Sequence, residues 1–200
     1  AWKYVVLCTL GLGLALAGII FLLAAGGASV TTSSFLISNL RDLAAHGQLN
    51  DPLIRWAFVF MFIGFGTVIG LVPMHAWLPD AHSKAPSPVS ALLSGLFLSV
   101  VLVVLLRIKS IIDLVTQDQG EWTSKFFLVF GCMSIVLPAF ILIVQKNYKR
   151  LLAYSSIEYM GLMIFAIGLG PAGVIPALML MPAHDLIKSA LFMGTGALLA

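Results

Sequence analysis

His184, Asp185 and Lys188 interrupt an apolar run near the end of the chain, and their spacing sets what they can do together. In a helix His184 and Lys188 stand at i,i+4 and Asp185 and Lys188 at i,i+3, so the trio shares one neighbouring set of faces. A histidine changes charge near neutral pH, and a lysine beside it can receive or release the same proton, which is the chemistry of a relay. The structural alternative is an Asp185–Lys188 pair neutralised within the helix, with a hydrogen-bonded histidine alongside. An ionisable residue at membrane depth costs about 2.5–3.5 kcal/mol on insertion scales, so three together call for a functional account.

Two more groups belong to the same chemistry. Glu158 lies about 10 Å along its helix from the basic end, at 1.5 Å per residue. It reads either as a half-channel carboxylate or as a partner of Arg150, Lys149 or Ser155. His75, Asp80 and His82 could funnel protons into a channel mouth, or be ordinary polar residues of a surface loop. None of these groups has a metal-ligand spacing. Cys8 and Cys132 lie in apolar segments without CxxC or Cys/His company and read as packing. No GxGxxG, P-loop or nucleophile elbow occurs, so the sequence calls for no metal and no cofactor. The formal charge of +3 is scattered along the chain, which argues against a nucleic-acid partner.

The elements that must hold these residues are membrane helices. Of 200 residues, 60% are hydrophobic and 10% charged, and mean hydropathy is +1.07, whereas soluble domains are about a quarter charged. Apolar blocks long enough to cross about 30 Å of hydrocarbon recur along the chain. They run from Trp2 to Ala25, Leu53 to Leu71, Pro86 to Arg107, Lys125 to Val144, Leu151 to Leu169, and Pro171 to the end. The expected fold class is therefore all-α, a polytopic membrane bundle of about six transmembrane helices. Alternating strands of a membrane barrel are absent from the pattern. The first run reads as a span rather than a cleaved signal peptide, because more membrane follows. Gly26 to Pro52 reads as a loop holding a short amphipathic helix over Phe35 to Leu43, Lys109 to Glu121 as a polar loop, and Pro138 as a kink.

The second span cannot run unchanged into the third, because Pro73, Pro79, Pro86 and Pro88 lie between them. Proline removes a backbone donor and clashes with the preceding turn, so a helix break is expected at Leu71–Pro73, beside Gly70. Carbonyls near Gly70 and Leu71 would then need protein, water or an ion as partner. From there the chain enters a polar hairpin, His75 to Pro88, and Pro86 and Pro88 suit the first turn of the next helix. Alternating spans put Lys3, Lys84, Lys146, Lys149 and Arg150 on one side and Gln117 on the other. The dense basic cluster assigns the first side to the cytoplasm.

These residues also carry a resemblance. Gly70 through His82 and Ala85 through Gly95 resemble the signature of the antiporter-like membrane subunits shared by respiratory complex I, Mrp cation antiporters and membrane-bound group 4 hydrogenases. Tyr148 through Glu158 and His184 through Gly196 reinforce it. Ala1 to Tyr4, and Ser155 to Glu158 followed by Met160 to Leu162, are most similar to the F-type subunit of hydrogenase-4. The resemblance implies a larger fold of two inverted repeats, each with a broken helix, of which residues 1–200 are a partial antiporter-like transmembrane domain. It implies a proton-translocating subunit of a respiratory or hydrogenase complex (NADH:quinone oxidoreductase or hydrogenase-4 type), multi-pass in the cell's inner (plasma) membrane. Such a subunit holds no redox centre of its own and meets other membrane subunits, the lipid bilayer and protons, with Na+ or K+ as alternative ions. The rival functions are a cation/proton antiporter, an inorganic-carbon uptake system, or a non-conducting structural paralogue. Glu158, His184 and Lys188 carry over. Val68 stands where relatives place a lysine in the broken helix and Ser99 where many have a second; Tyr159 and Leu180 stand where a histidine is frequent. These departures bear on the first half-channel.

Overall fold

In the computed structural model the described residues are 2–26, 37–46, 49, 51–116 and 120–199. They form α1 (Trp2–Ala25), α2 (Ile37–Ala45), α3 (Asp51–Ile69), α4 (Trp77–Lys84), α5 (Ser87–Leu92), α6 (Leu98–Val115), α7 (Glu121–Val144), α8 (Tyr148–Gly168) and α9 (Pro171–Leu199). A 3₁₀ turn, Met74–Ala76, precedes α4, and a π-helical turn, Leu93–Phe97, joins α5 to α6. Counting α3 with α4 and α5 with α6, the described residues supply six helices long and apolar enough to cross a membrane.

Pairwise packing sets the frame: α1 lies along α3, α7 along α8, α9 against α8 and α5, and α6 against α3. Close approach of α1 and α3 depends on small residues, since a Cβ on Gly64 would stand 2.5 Å from the Gly11 carbonyl oxygen and the Ala15 nitrogen. Membrane helices associate through such contacts because lipid offers no hydrophobic drive between them. Between α3 and α7 the filling is aromatic, with Phe58 and Phe62 against Trp122, Phe126 and Phe127.

The helix break falls where the prolines required it, but its chemistry is local. Gly70 takes φ +83, and its N–H donates to Thr67 O (3.2 Å) while Leu71 N–H donates to Gly66 O (2.8 Å). This is the Schellman arrangement, which a left-handed glycine permits. The carbonyls of Gly66 and Thr67, one turn before the break, take these bonds. Thr67 O also accepts from Trp77 Nε1 at 2.7 Å, and Val72 N–H donates to Ser134 Oγ of α7 at 3.0 Å. The Val72–Pro73 peptide is cis.

Beyond it the expected hairpin is helical. α4 buries Trp77, Leu78, Pro79 and His82, because an amphipathic turn can seat its apolar side on the bundle while Asp80 and Lys84 face outward. The expected polar loop after Arg107 is helical too, up to Val115. Its Lys109 and Asp113 pair at i,i+4 (2.5 Å), which lets the helix bury Ile111 and Ile112 without stranding a charge. The amphipathic helix of the first loop is α2, with Leu40 and Ala44 in the core; residues 27–36 and Gln117 lie outside the described residues.

One ion cluster fixes which ends meet. Lys3 Nζ donates to Asp80 Oδ2 (3.0 Å), Arg150 Nη2 to Asp80 Oδ1 (2.6 Å), and Lys149 Nζ to Ala85 O (3.0 Å). The starts of α1 and α8 therefore share a side with α4, as the alternation of spans required.

Candidate functional site

α9 presents one stripe to the bundle: Ala177, Met181, His184, Lys188 and Phe192 are buried, at spacings of three and four. That stripe carries two of the three expected relay residues inward, with Lys188 only 3% exposed. Asp185, one position round the helix, sits at the edge with a side chain 21% exposed. Helical periodicity thus splits the trio.

Lys188 and Asp185 consequently do not form the pair that their spacing suggested. Lys188 Nζ donates to Leu152 O at 3.2 Å and to Ser155 Oγ, and lies 5.5 Å above the Tyr159 ring. All of these are α8 groups without formal charge. Asp185 Oδ1 accepts instead from Ser99 Oγ of α6 (2.6 Å) and meets His184 Nδ1 at 3.2 Å. With Asp185 ionised its oxygens only accept, so His184 carries its proton on Nδ1 and leaves Nε2 as the lone-pair nitrogen. Among the described residues that buried Nε2 has no hydrogen-bond partner. The His184 ring rests 5.4 Å from Tyr159.

Glu158 is half-buried on α8, and the partners proposed for it from sequence are engaged elsewhere. Arg150 holds Asp80, Lys149 holds the Ala85 carbonyl, and Ser155 Oγ donates to Leu152 O (3.0 Å) while accepting from Lys188. Lys188 lies within electrostatic range of Glu158.

His75, Asp80 and His82 diverge rather than form one mouth. His75 lies 6.4 Å from Tyr154 of α8, Asp80 is held by Lys3 and Arg150, and His82 points inward. His82 is 1% exposed, stacks on Phe192 of α9 at 4.8 Å, and lies within electrostatic range of Lys188. Its Nε2, like His75 Nδ1, is buried without a hydrogen-bond partner among the described residues. Of the three, His82 is the residue the fold brings to the α9 cluster.

Sequence reasoning missed the π-helical turn. It sets Ser94 Oγ 2.8 Å from Ser156 Oγ of α8; Ser156 in turn donates to Leu152 O (3.0 Å), the carbonyl that also receives Lys188. One residue on, a Cβ on Gly95 would lie 2.8 Å from the Asp185 carbonyl oxygen, so only glycine lets the turn touch α9 there. Single π turns mark functional positions in many helices. The available signal was Ser87, Ser90 and Ser94 at i, i+3 and i+7 in an apolar run, a polar line on one face.

The family model described as NADH:quinone oxidoreductase/Mrp antiporter, TM, matches residues 1–200. The chain belongs to that family. As a member of the NADH:quinone oxidoreductase/Mrp antiporter family it is 37% identical over 199 residues to the hydrogenase-4 component F homolog of Methylacidiphilum infernorum, covering 98% of this chain and 41% of that relative. Among solved structures it is similar to a chain of the membrane-bound sulfane sulfur reductase, an archaeal respiratory membrane complex (TM-score 0.84, 27% identity, 98% of this chain and 38% of that one). It is also similar to a chain of respiratory complex I from Thermus thermophilus (TM-score 0.81, 25% identity, 98% and 40%). The chain thus spans about two fifths of the length of these antiporter-family relatives.

Proposed function

We infer that this antiporter-like chain conducts protons within a respiratory or hydrogenase-type membrane complex, in the inner (plasma) membrane and beside other membrane subunits. The observation that carries the reading is Lys188: a lysine buried in the bundle, held by a hydroxyl and a carbonyl and addressed by Glu158. No carboxylate lies at contact distance of Lys188 among the described residues, so its ammonium is held by neutral acceptors alone.

The geometry supports an order of transfer. His82 takes a proton on Nε2 from the α4 side and gives it toward Lys188. The protonated lysine is steadied by Glu158, Ser155 Oγ and Leu152 O. His184 then accepts on Nε2 and delivers its Nδ1 proton to Asp185 Oδ1, so one imidazole passes a proton across its ring. Val68 is buried among apolar core residues, which leaves α3 outside this route and confines it to α4, α8 and α9. Other subunits would supply any electron transfer, and Na+ or K+ are the alternative ions.

Lys188→Met tests the relay in the full-length, assembled complex reconstituted into proteoliposomes. Proton uptake per assembled complex should fall at least about a hundredfold, the usual weight of a positioned proton-transfer group. Wild-type uptake in that variant would end the reading.

A further inference from the structure

We propose that Lys109, Asp113 and Thr123 form a second proton-exchange site, on the face away from α4, reached from Asp185 along the groove between α6 and α9. This rests on the relay above and extends it to the other side of the membrane.

The three residues close a ring of hydrogen bonds. Lys109 Nζ donates to Asp113 Oδ2 (2.5 Å) and to Thr123 Oγ1 (3.1 Å), and Thr123 Oγ1 donates to Asp113 Oδ1 (2.5 Å). The Thr123 hydroxyl has a single proton and a second acceptor in reach, Gly120 O at 2.9 Å. When Asp113 is ionised the hydroxyl points to it. When Asp113 takes up a proton, the hydroxyl can turn to Gly120 and accept from the new acid. Lys109 is 7% exposed and faces Asp113. A Cβ on Gly120 would fall 2.6 Å from the Asp113 carboxyl carbon, so the turn closes directly over the acid.

Two cavities then follow one another along the α6–α9 groove. One, of about 500 Å³, is lined by Ser99, Val103 and Arg107 of α6 and by Met181 and Asp185 of α9. The next, of about 390 Å³, is lined by Leu106, Lys109 and Asp113 of α6 and by Val174 of α9. Along α6 the first is lined up to Arg107 and the second from Leu106 onward, so the two lie in sequence between Asp185 and the ring at the end of α6. Ser99 and Asp113 lie about 21 Å apart along the helix at 1.5 Å per residue. Asp185, Asp113, Arg107 and Lys109 are the charged groups lining the route, and their formal charges cancel.

The transfer balances simply. The O–H bond on Asp185 breaks, water in the groove carries the proton, an O–H bond forms on Asp113, and that acid later yields the proton to water on the far face. To hold water the groove must be roofed by another membrane helix of the assembly.

Two measurements on the full-length assembled complex test this, in a background without other reactive cysteines. Val103→Cys, in mid-groove, should react with a charged, membrane-impermeant methanethiosulfonate added from the face away from α4, whereas Leu137→Cys on the exposed side of α7 should not. That labelling should persist in Lys188→Met, so a failed relay and a dry groove give different results. Asp113→Asn should lower proton uptake per assembled complex about tenfold, with Asp113→Glu restoring it and Thr123→Val, which leaves the ion pair intact, lowering it as well. An unlabelled Val103→Cys, or wild-type uptake in both Asp113→Asn and Thr123→Val, overturns the proposal. If Asp113→Asn fails to assemble, Thr123→Val and the labelling decide.

Discussion

Two lysines are buried in this bundle, and they are held in opposite ways. Lys109 faces a carboxylate and a hydroxyl that also bond each other, so its charge is neutralised where it lies. Lys188 faces a hydroxyl, a carbonyl and an aromatic ring, with no ion pair among the described residues to balance it at contact distance. Burial alone would rank them alike. The difference in partners separates them, because removing one member of a buried ion pair strands the other at contact distance, whereas Lys188 has no carboxylate that close among the described residues.

Three results would break or sharpen this contrast. The largest concerns the thermal stability of the assembled complex. Lys109→Met leaves Asp113 facing only Thr123 and should cost about 1–3 kcal/mol, with a several-fold fall in assembled protein. Lys188→Met should match wild type or exceed it while proton uptake fails. Equal melting losses in the two variants would erase the distinction.

Next in size is Gly95→Ala. Its new methyl would crowd the Asp185 carbonyl oxygen and the Ser189 hydroxyl, pushing the π turn off α9 at about 1 kcal/mol, in the range of small overpacking changes. Uptake should fall more than assembly does, because the displaced segment also holds Ser94 against Ser156. A loss of assembly with full uptake per complex would make the turn a packing device only.

The smallest effect is a coupling near zero. Asp185 keeps its own donors in Ser99 and His184, so Lys188→Met does not strand it. Adding Asp185→Asn to Lys188→Met should therefore change stability by the same amount as in wild type, to within about 0.5 kcal/mol. A larger coupling measured in this double-mutant cycle would restore the direct pair that the i,i+3 spacing suggested.

Much of this was legible in the residues themselves. The apolar blocks set the spans, Pro73 and Gly70 set the break, and the positions of Lys3, Lys149 and Arg150 agreed on which ends share a side. The polar segment after Arg107 was not legible as helix, because Lys109 and Asp113 look like loop residues until Thr123 comes to meet them from α7. The hairpin misled for a similar reason: Asp80 and His82 are two residues apart, and helical geometry turns one toward Lys3 and Arg150 and the other toward Phe192.

Composition and periodicity by themselves determined that the chain is a membrane helical bundle and that His184, Asp185 and Lys188 share a neighbouring set of faces on one helix. Those properties depend on hydrocarbon thickness and on the 3.6-residue repeat, which are local and additive along the chain. Which partner each charge found was decided by tertiary structure alone. Hydrogen bonds such as Ser99 to Asp185 and Lys188 to Ser155 join residues far apart in sequence, and only the packing of α6, α8 and α9 brings them within reach.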